Sequence, residues 1–287
     1  MAEKLRKRQH TPGEKARLIL SVALLLVVVV LVCGWLILKL HGNEPKSETE
    51  PTSDLPVETY TKDDIDNLLL IMTDEGYERF VLVQNDPVKP AIRVAYIPGN
   101  TDTGGGQTPT VLFRKYGAAS VVNALSEVLD LPIEHYFALS AEETETFINY
   151  LEKGVSVDLP EAVKYADKNG SSLRLSEGEN HLTATQTVTL MRYDDWQNPQ
   201  NSAMPAHIVA AILNRYFREE RYFAADFAAL SNCSKTDLRI TDLTLSQNKL
   251  SFLAAHNDGS LASLVTLSGE EKSGLFIPSR KKNDLYH

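Results

Sequence analysis

The side chains best suited to catalysis or metal binding are spread thinly along this chain. The seven histidines and two cysteines show no H-E-x-x-H or C-x-x-C spacing, so neither a zinc site nor a disulfide framework is indicated. No G-x-S-x-G nucleophile turn and no Walker A loop occurs. The glycine run at 104–106 is followed by Gln107, without the lysine and helix start that a phosphate-binding loop requires. These motif-based chemistries are therefore not indicated, and Cys233 is expected to be a small buried core residue.

Charge divides the chain into two regions. The 287 residues contain 29 Lys and Arg against 38 Asp and Glu, a net charge of −9, yet residues 1–17 sum to +4. The rest is strongly acidic, which disfavours nucleic acid as a partner because phosphate binding needs a basic surface. The two regions are expected to face different surroundings.

An apolar run at residues 18–38, interrupted only by Ser21, Cys33 and Gly34, separates them. As a helix it would be about 31 Å long, enough for a hydrocarbon core of about 30 Å. A cleaved signal peptide is the alternative, but its apolar region usually has about 7 to 15 residues and no small-residue cleavage site follows here. The basic flank before the run predicts a cytoplasmic N-terminus. We therefore expect a cytoplasmic tail at 1–17, a single transmembrane helix in the lipid bilayer at 18–40, a Pro-, Ser-, Thr- and Glu-rich extracytoplasmic linker at 41–61 and a folded domain at 62–287.

The folded domain reads as strands alternating with helices. Short apolar runs at 68–72, 80–83 and 92–97 end in turn residues, as is typical of central strands covered on both faces. Apolar residues at helical spacing predict a helix at 118–129, and Ser140 with Glu143 forms a capping box that starts another. Further strands are expected at 136–139 and 155–159, helices at 206–217 and 223–230, and either type at 238–253. The pattern predicts an α/β fold, a three-layer α/β/α sandwich with a central mixed sheet.

Several of these segments together resemble a known family. LLLIMTD, FVLVQNDP, IRVAYIPGNT, YGAASVVNALSEVLDLPIEHYFALS and LSEGENHLTATQTVTLMRY are similar, in order and spacing, to the extracytoplasmic domain of the LytR-CpsA-Psr family. The resemblance runs from about Leu68 to about Pro278. At 183–191 the β-branched residues favour a strand, whereas the family has a helix, and we follow the family.

The resemblance implies a specific chemistry. Family members are membrane-anchored enzymes of the bacterial envelope that transfer a glycopolymer from a polyprenyl-diphosphate carrier to peptidoglycan, with Mg²⁺ on the diphosphate. Arginines hold the diphosphate and aspartates hold the metal, because guanidinium groups bind phosphate bidentately and Mg²⁺ prefers oxygen ligands. The lipid tail lies in an apolar tunnel under the sheet.

This chain departs from the family at most of the charged positions. The family's Arg-Ser-Asp-Thr is YERF at 77–80, Pro-Arg-Asp-Thr is PGNT at 98–101, Val-Arg-Tyr-Arg is MRYD at 191–194, and Gly-Arg-x-x-Arg-Gln is NSAMPAHI at 201–208. Losing one preorganised donor commonly costs about 100- to 1,000-fold in rate. The substitutions therefore favour a relative that has lost catalysis.

The resemblance still leaves candidate site residues. They are Arg79 and Arg192 as catalytic residues, Asn100, Thr101, Asp102 and Tyr193 as binding residues, and Asp74 and Asp102 as Mg²⁺ ligands if the protein is catalytic. Each arginine also has a structural interpretation: Arg192 would cap the carbonyls of its helix end, and Arg79 would pair with Glu78 or Asp74 at the surface. The apolar stripe that contains Val121, Val122, Leu125 and Leu129 is expected to be core rather than tunnel lining.

Three functions remain open from the sequence. The first is a non-catalytic family member that binds a polyprenyl-phosphate carrier, peptidoglycan or another envelope partner. The second is a divergent phosphotransferase with a rebuilt site. The third is a scaffold that uses the fold only for protein contacts.

Overall fold

A six-stranded mixed sheet organises the part of the chain that the computed structural model describes, namely residues 59–74, 76–151, 154–166, 172–218, 223–256, 259–279 and 285. The expected tail and transmembrane helix, and nearly all of the linker, lie outside these residues. Within the described ranges, no helix has both the length and the apolar character needed to cross a bilayer.

Twelve strands and seven α-helices are found in these ranges. The strands are β1 (Asp66–Asp74), β2 (Tyr77–Asp86), β3 (Ala91–Ile97), β4 (His135–Ser140), β5 (Val155–Leu159), β6 (Val163–Ala166), β7 (Ser172–Leu175), β8 (Gly178–Leu182), β9 (Lys235–Thr236), β10 (Ala262–Val265), β11 (Gly269–Lys272) and β12 (Leu275–Pro278). The helices are α1 (Pro109–Tyr116), α2 (Ala118–Leu129), α3 (Ala141–Tyr150), α4 (Ala184–Arg192), α5 (Met204–Tyr216), α6 (Phe223–Asn232) and α7 (Ile240–Ala255).

The main sheet has the strand order β10-β3-β2-β1-β4-β9. β1, β2 and β3 are antiparallel neighbours, whereas β4 is parallel to β1 and β10 is parallel to β3. β5 pairs with β8, β6 with β7 and β11 with β12 in three separate two-stranded sheets. The expected mixed α/β architecture with a central mixed sheet is confirmed.

Both faces of the main sheet are apolar because alternate residues of its central strands point to opposite sides. On one face, Leu69 and Phe80 pack with Leu125 and Leu129 of α2. We call the whole buried apolar cluster on this face, which also includes Val121 and Val122, the α2 layer. On the other face, Val81 and Val94 belong to a cluster with Ala206 and Val209 of α5. Continuous apolar runs in β1, β2 and β3 follow directly from this double coverage.

A third core lies between the small sheets and α4. Leu159 of β5, Leu173 of β7 and Leu182 of β8 are buried against Leu190 of α4. Thr183 caps this helix, and its hydroxyl accepts a hydrogen bond from the Gln186 amide. The helix at 184–192 confirms the choice made from the family resemblance over β propensity, because burial of one face and a capping box outweigh a weak local preference.

Other local expectations met mixed outcomes. The helix at 118–129, the capping box at Ser140 and the strands at 136–139 and 155–159 are confirmed, and the uncertain segment at 238–253 is largely helical. The expectation for Cys233 was wrong: it is half-buried at the end of α6, where its Sγ contacts the Leu230 carbonyl at 3.4 Å.

Candidate functional site

The retained arginines and carboxylates meet at one end of the main sheet. β1 ends at Asp74 and β2 begins at Tyr77, so the turn between them brings the two strand ends together. The last turn of α4 lies against this turn and places Arg192 beside it. The structure therefore brings Arg79, Arg192 and Asp74 into one cluster, as the resemblance implied.

Arg79 is a buried residue of β2 whose guanidinium binds the end of α4. Its Nε donates to the Met191 carbonyl at 3.1 Å, and its Nη2 donates to the Arg192 carbonyl at 3.1 Å. The same Nη2 forms a short ion pair with the carboxylate of Asp194. The helix C-terminus carries partial negative charge, which explains why a cation lies there. The proposed surface pairing with Glu78 or Asp74 was therefore wrong.

Arg192 pairs with Asp74 across the strand end. The Arg192 Nε lies 2.5 Å from the Asp74 Oδ2, and both side chains are about one-fifth exposed. Arg192 was expected to bind the carbonyls of its own helix end, and the structure shows Arg79 donating to two of them, those of Met191 and Arg192. The two arginines and two aspartates thus form a charge-balanced set, which we call the Arg–Asp cluster: Arg79, Asp194, Arg192 and Asp74.

Charge balance limits what this cluster can bind. A diphosphate gains most from guanidinium groups whose donors are available to its oxygens. In the Arg–Asp cluster each guanidinium already binds a carboxylate, and Arg79 also donates to three carbonyls, those of Glu78, Met191 and Arg192. A phosphate would have to displace these acceptors. The free energy of the broken ion pairs and hydrogen bonds would then be subtracted from the free energy of phosphate binding.

The loop after β3 carries the candidate binding residues Asn100, Thr101 and Asp102, and their side chains bind the protein's own backbone. The Thr101 hydroxyl is buried and donates to the Pro98 carbonyl at 2.7 Å. The Asn100 Nδ2 donates to the Gly274 carbonyl at 3.1 Å, and an Asp102 carboxylate oxygen accepts from the Gly104 amide at 2.9 Å. These side chains stabilise the loop itself and its contact with β12.

Gly99 stands where the resemblance places a family arginine. A Cβ added at Gly99 would lie 2.8 Å from the Thr110 Oγ1, closer than real Cβ contacts. Thr110 is in the first turn of α1, so its side chain would have to shift before a larger residue could be placed at position 99. The glycine itself supplies no donor for a phosphate.

Tyr193 follows α4 and is buried in an aromatic group with Tyr165 and Trp196. Its hydroxyl donates to the Asp195 carbonyl at 2.6 Å, and the Trp196 indole donates to the Tyr193 carbonyl at 3.1 Å. Burial raises the pKa of Tyr193, with Asp195 adding to the effect, so the phenol stays neutral. Tyr193 is held by structural contacts as firmly as Arg79.

A further ion pair at this end of the sheet was missed from the sequence. Glu78 is buried, and both of its carboxylate oxygens accept from Arg114 of α1, at 2.7 Å from Nε and 2.8 Å from Nη2. The hydrogen bond and charge of Glu78 raise the pKa of Arg114. Glu78 and Phe80 are two residues apart in β2 and therefore point to the same face of the sheet, the one covered by α1 and α2. A buried carboxylate on that face requires a partner. The position of Glu78 in the strand was therefore a signal from which a buried ion pair could have been predicted.

The described residues contain no group of three or more His, Cys, Asp or Glu side chains arranged to hold a metal ion. Asp74 is paired with Arg192, and Asp102 is engaged within its own loop. Mg²⁺ usually keeps one or two carboxylates with bound water, and an aspartate shared with a guanidinium fits that role poorly. The two magnesium ligands therefore stay a prediction.

The stripe on α2 forms core. Val121, Leu125 and Leu129 have no exposed surface and Val122 is nearly buried, all within the α2 layer. A side chain that lined an open channel would retain exposed surface. The space next to these three fully buried side chains is filled by other side chains.

Fold and site together define a mixed α/β domain with an arginine–carboxylate cluster at one end of its sheet. The model of the LytR_cpsA_psr family matches residues 93–263. The chain belongs to this family of cell-envelope proteins.

Solved structures share the fold. A protein from Eubacterium siraeum DSM 15702 superposes with a TM-score of 0.70 at 13% identity, over 83% of this chain and 95% of that one. B. subtilis TagV gives 0.58 at 17%, over 76% and 92%. TagT, solved bound to LI-WTA, a wall teichoic acid ligand, gives 0.55 at 18%, over 77% and 87%. No curated protein sequence matches the chain significantly.

Proposed function

We propose that this protein is a membrane-anchored, extracytoplasmic member of the family that binds a polyprenyl phosphate or another envelope partner without catalysing transfer. The observation that carries the proposal is the Arg–Asp cluster. Each arginine in it is paired with an aspartate, so the charge needed for a diphosphate is cancelled within the protein. Anchoring is supported by the apolar run at 18–38 and its basic flank.

Loss of catalysis follows from the energetics of phosphoryl transfer. The reaction depends on donors and a metal aimed at the charge that develops on the transferring group. Gly99 has no side chain where the family has an arginine, and Asn100 has an amide where the family has a carboxylate. An enzyme that lacked several such groups would fall many orders of magnitude in rate, although the losses would not add simply.

An envelope partner of glycopolymer chemistry is supported by family membership and by the TagT complex. A carrier lipid would place its phosphate near the Arg–Asp cluster and its hydrocarbon chain against apolar residues. The acidic composition of the domain argues against nucleic acid.

Binding and transfer can be tested separately on the detergent-solubilised full chain. Native mass spectrometry and thermal shift with decaprenyl phosphate should detect a complex, since a ligand of the native state raises the melting temperature. Incubation with a polyprenyl-diphosphate-linked glycopolymer, peptidoglycan and Mg²⁺ should release no carrier phosphate. Arg192→Ala should weaken decaprenyl phosphate binding, with the exposed Arg174→Ala as the matched control.

A divergent phosphotransferase is the alternative, favoured by the proximity of Arg79 and Arg192 at one strand end. Magnesium-dependent release of carrier phosphate, lost in Arg192→Ala and kept in Arg174→Ala, would establish it and refute the non-catalytic proposal.

A further inference from the structure

Tyr96 of β3 lies beside the Arg–Asp cluster but belongs to none of its ion pairs. In the antiparallel pairing of β2 with β3, Tyr96 is opposite Val81. Arg79 is two residues before Val81, so it points to the same face of the sheet and is the diagonal neighbour of Tyr96. Long side chains at diagonal positions are within reach of each other. The sheet register therefore places the Tyr96 phenol next to the Arg79 guanidinium.

The Tyr96 hydroxyl has no hydrogen-bond partner among the residues that the structure describes. The Tyr193 hydroxyl, by contrast, donates to a backbone carbonyl. Desolvation raises the pKa of Tyr96, with the charge of Arg79 opposing this effect and the charge of Asp194 adding to it. The phenol is therefore neutral at physiological pH, and it is close enough to both members of the ion pair to be affected by their charges.

Arg79 is held too firmly to move toward a ligand. Its guanidinium donates to three backbone carbonyls and lies over the ring of Tyr77, with the Arg79 Cζ 5.5 Å from the ring centroid. Its ion-pair partner Asp194 is largely exposed. Asp194 is therefore the partner that can be exchanged, and a phosphate oxygen that binds Arg79 would take the place of the Asp194 carboxylate.

A phosphate in that place would offer more acceptors than the carboxylate does. A carboxylate is planar and has two oxygens, and the one on Asp194 leaves the Tyr96 hydroxyl unused. A phosphate monoester has three terminal oxygens in a tetrahedral arrangement. One of them would accept from the Arg79 Nη2 while another accepts from the Tyr96 hydroxyl. Hydrogen bonds to a charged acceptor are stronger than those between neutral groups.

We propose that Tyr96 is a specificity-determining residue whose hydroxyl donates to the phosphate of the bound lipid, next to Arg79. This inference rests on the proposed binding of a polyprenyl phosphate. A phenol adds a donor without adding charge to a cluster that is already balanced. The hydroxyl would thus favour a lipid phosphate over the same lipid ending in an alcohol.

The test compares decaprenyl phosphate binding by the unmodified full chain and by Tyr96→Phe in the same detergent. The variant lacks only the hydroxyl oxygen and should bind about tenfold more weakly, as expected for one hydrogen bond to a charged acceptor. Tyr136→Phe is the matched control, since Tyr136 is a half-buried tyrosine of the same sheet that packs on its other face, in the α2 layer. Equal affinities of Tyr96→Phe and Tyr136→Phe would overturn the assignment while leaving lipid binding intact.

Two further ligands separate phosphate recognition from other roles of the hydroxyl. Decaprenol, which has the same chain without the phosphate, should bind Tyr96→Phe and the unmodified protein alike, and a tenfold loss for decaprenol as well would overturn the assignment. A loss seen with inorganic phosphate but not with decaprenyl phosphate would overturn the assignment to the lipid headgroup. Without ligand, the melting temperature of Tyr96→Phe should stay within about 1 °C of the unmodified protein, because no hydrogen bond is lost.

A double-variant cycle with Asp194→Asn shows whether the hydroxyl acts on the phosphate directly. Direct contact predicts that Tyr96→Phe weakens decaprenyl phosphate binding about tenfold in the Asp194→Asn background as well. A loss that vanishes in that background would mean that Tyr96 acts through Asp194, and the direct contact would be refuted. If the unmodified protein does not bind the lipid, the lipid-binding proposal fails together with this one.

Discussion

Opposite ends of the main sheet carry the same kinds of side chains in different surroundings. At the end where β1 begins, Asn67, Gln84 and Arg93 form a closed network with Asp86, which is 3% exposed. At the end where β1 finishes, Arg79 pairs with Asp194, which is 59% exposed.

The difference separates charged side chains that hold the fold together from charged side chains that can be substituted at a smaller cost in stability. In the buried network each of these four side chains has a partner inside the protein, and two backbone amides also donate to the Asp86 Oδ1 at 3.0 Å. In the Arg–Asp cluster Asp194 is largely exposed and Asp74 is partly exposed, so an asparagine at either position can still accept from its arginine or turn to water. The first network specifies the fold, and the second can be changed to test the function.

The largest effect is expected from Arg93→Ala. This change leaves the buried Asp86 carboxylate without its cation, which destabilises proteins by about 3 to 5 kcal/mol. For a domain of this size that corresponds to a melting temperature lower by roughly 10 °C. Thermal unfolding in detergent measures it, with exposed Arg174→Ala as the control.

The pairing can be isolated by adding Asp86→Asn to Arg93→Ala. If the loss comes from the unpaired carboxylate, the double variant should recover part of it. A melting temperature for Arg93→Ala within 1 °C of the control would contradict the contrast between the two ends.

Arg79→Ala should have the next largest effect, about 2 to 4 kcal/mol. The substitution leaves the Met191 and Arg192 carbonyls at the end of α4 without the hydrogen-bond donors that Arg79 provides. The Asp194 carboxylate, which is largely exposed, can bind water instead. The measurement is again the shift in melting temperature. Arg79→Lys should recover only part of the loss, because an ammonium cannot reproduce the planar donors of a guanidinium. Full recovery with lysine would show that charge alone matters there.

The sequence predicted the secondary structure and the covered sheet better than it predicted which charged side chains pair with each other. Strands, helices and the double-sided sheet follow from local apolar periodicity, and these were confirmed for β1, β2, β3 and α2. The surface pairing expected of Arg79 was wrong, and the pairing of Arg192 with Asp74 was missed, because both depend on how α4 approaches the β1–β2 turn. The same holds for Glu78 and Arg114, which are 36 residues apart and meet only when α1 packs on the sheet.

Removing the aspartates of the Arg–Asp cluster should change phosphate binding at a smaller cost in stability than Arg93→Ala. Asp74→Asn/Asp194→Asn should cost about 1 to 3 kcal/mol, because the mostly buried arginines lose their counter-charges while each asparagine keeps an oxygen that can accept a hydrogen bond. Decaprenyl phosphate should bind about tenfold more tightly, because both guanidinium groups lose a competing carboxylate. Native mass spectrometry and thermal shift provide the measurements.

The matched control for that variant is Asp63→Asn/Asp158→Asn, which likewise removes two carboxylates, both from exposed positions. This control separates two causes of tighter phosphate binding: loss of the carboxylates that pair with Arg79 and Arg192, and the general effect of a less acidic surface. Equal affinity gains in both variants would mean that the Arg–Asp cluster does not limit phosphate binding.

The smallest effect concerns pH at the structural end of the sheet. The Glu134 Oε2 accepts from the Asn67 amide at 2.6 Å, and although much of Glu134 is exposed, desolvation of its carboxyl raises its pKa above the ordinary value of 4.5. The folded protein therefore holds this proton more tightly than the unfolded chain. Stability from this group is complete below about pH 4.5 and is lost as the pH rises through the higher folded pKa.

Glu134→Gln should accordingly flatten the decline in melting temperature just above pH 4.5, while the amide oxygen can still accept from Asn67. Exposed Glu177→Gln is the control, since it removes a carboxyl of the same type from the surface. An unchanged pH profile would show that Glu134 titrates alike in the folded and unfolded chains. In that case Glu134 would add no pH dependence to the end of the sheet where β1 begins, and the contrast between that end and the exposed Asp194 carboxylate of the Arg–Asp cluster would be sharper.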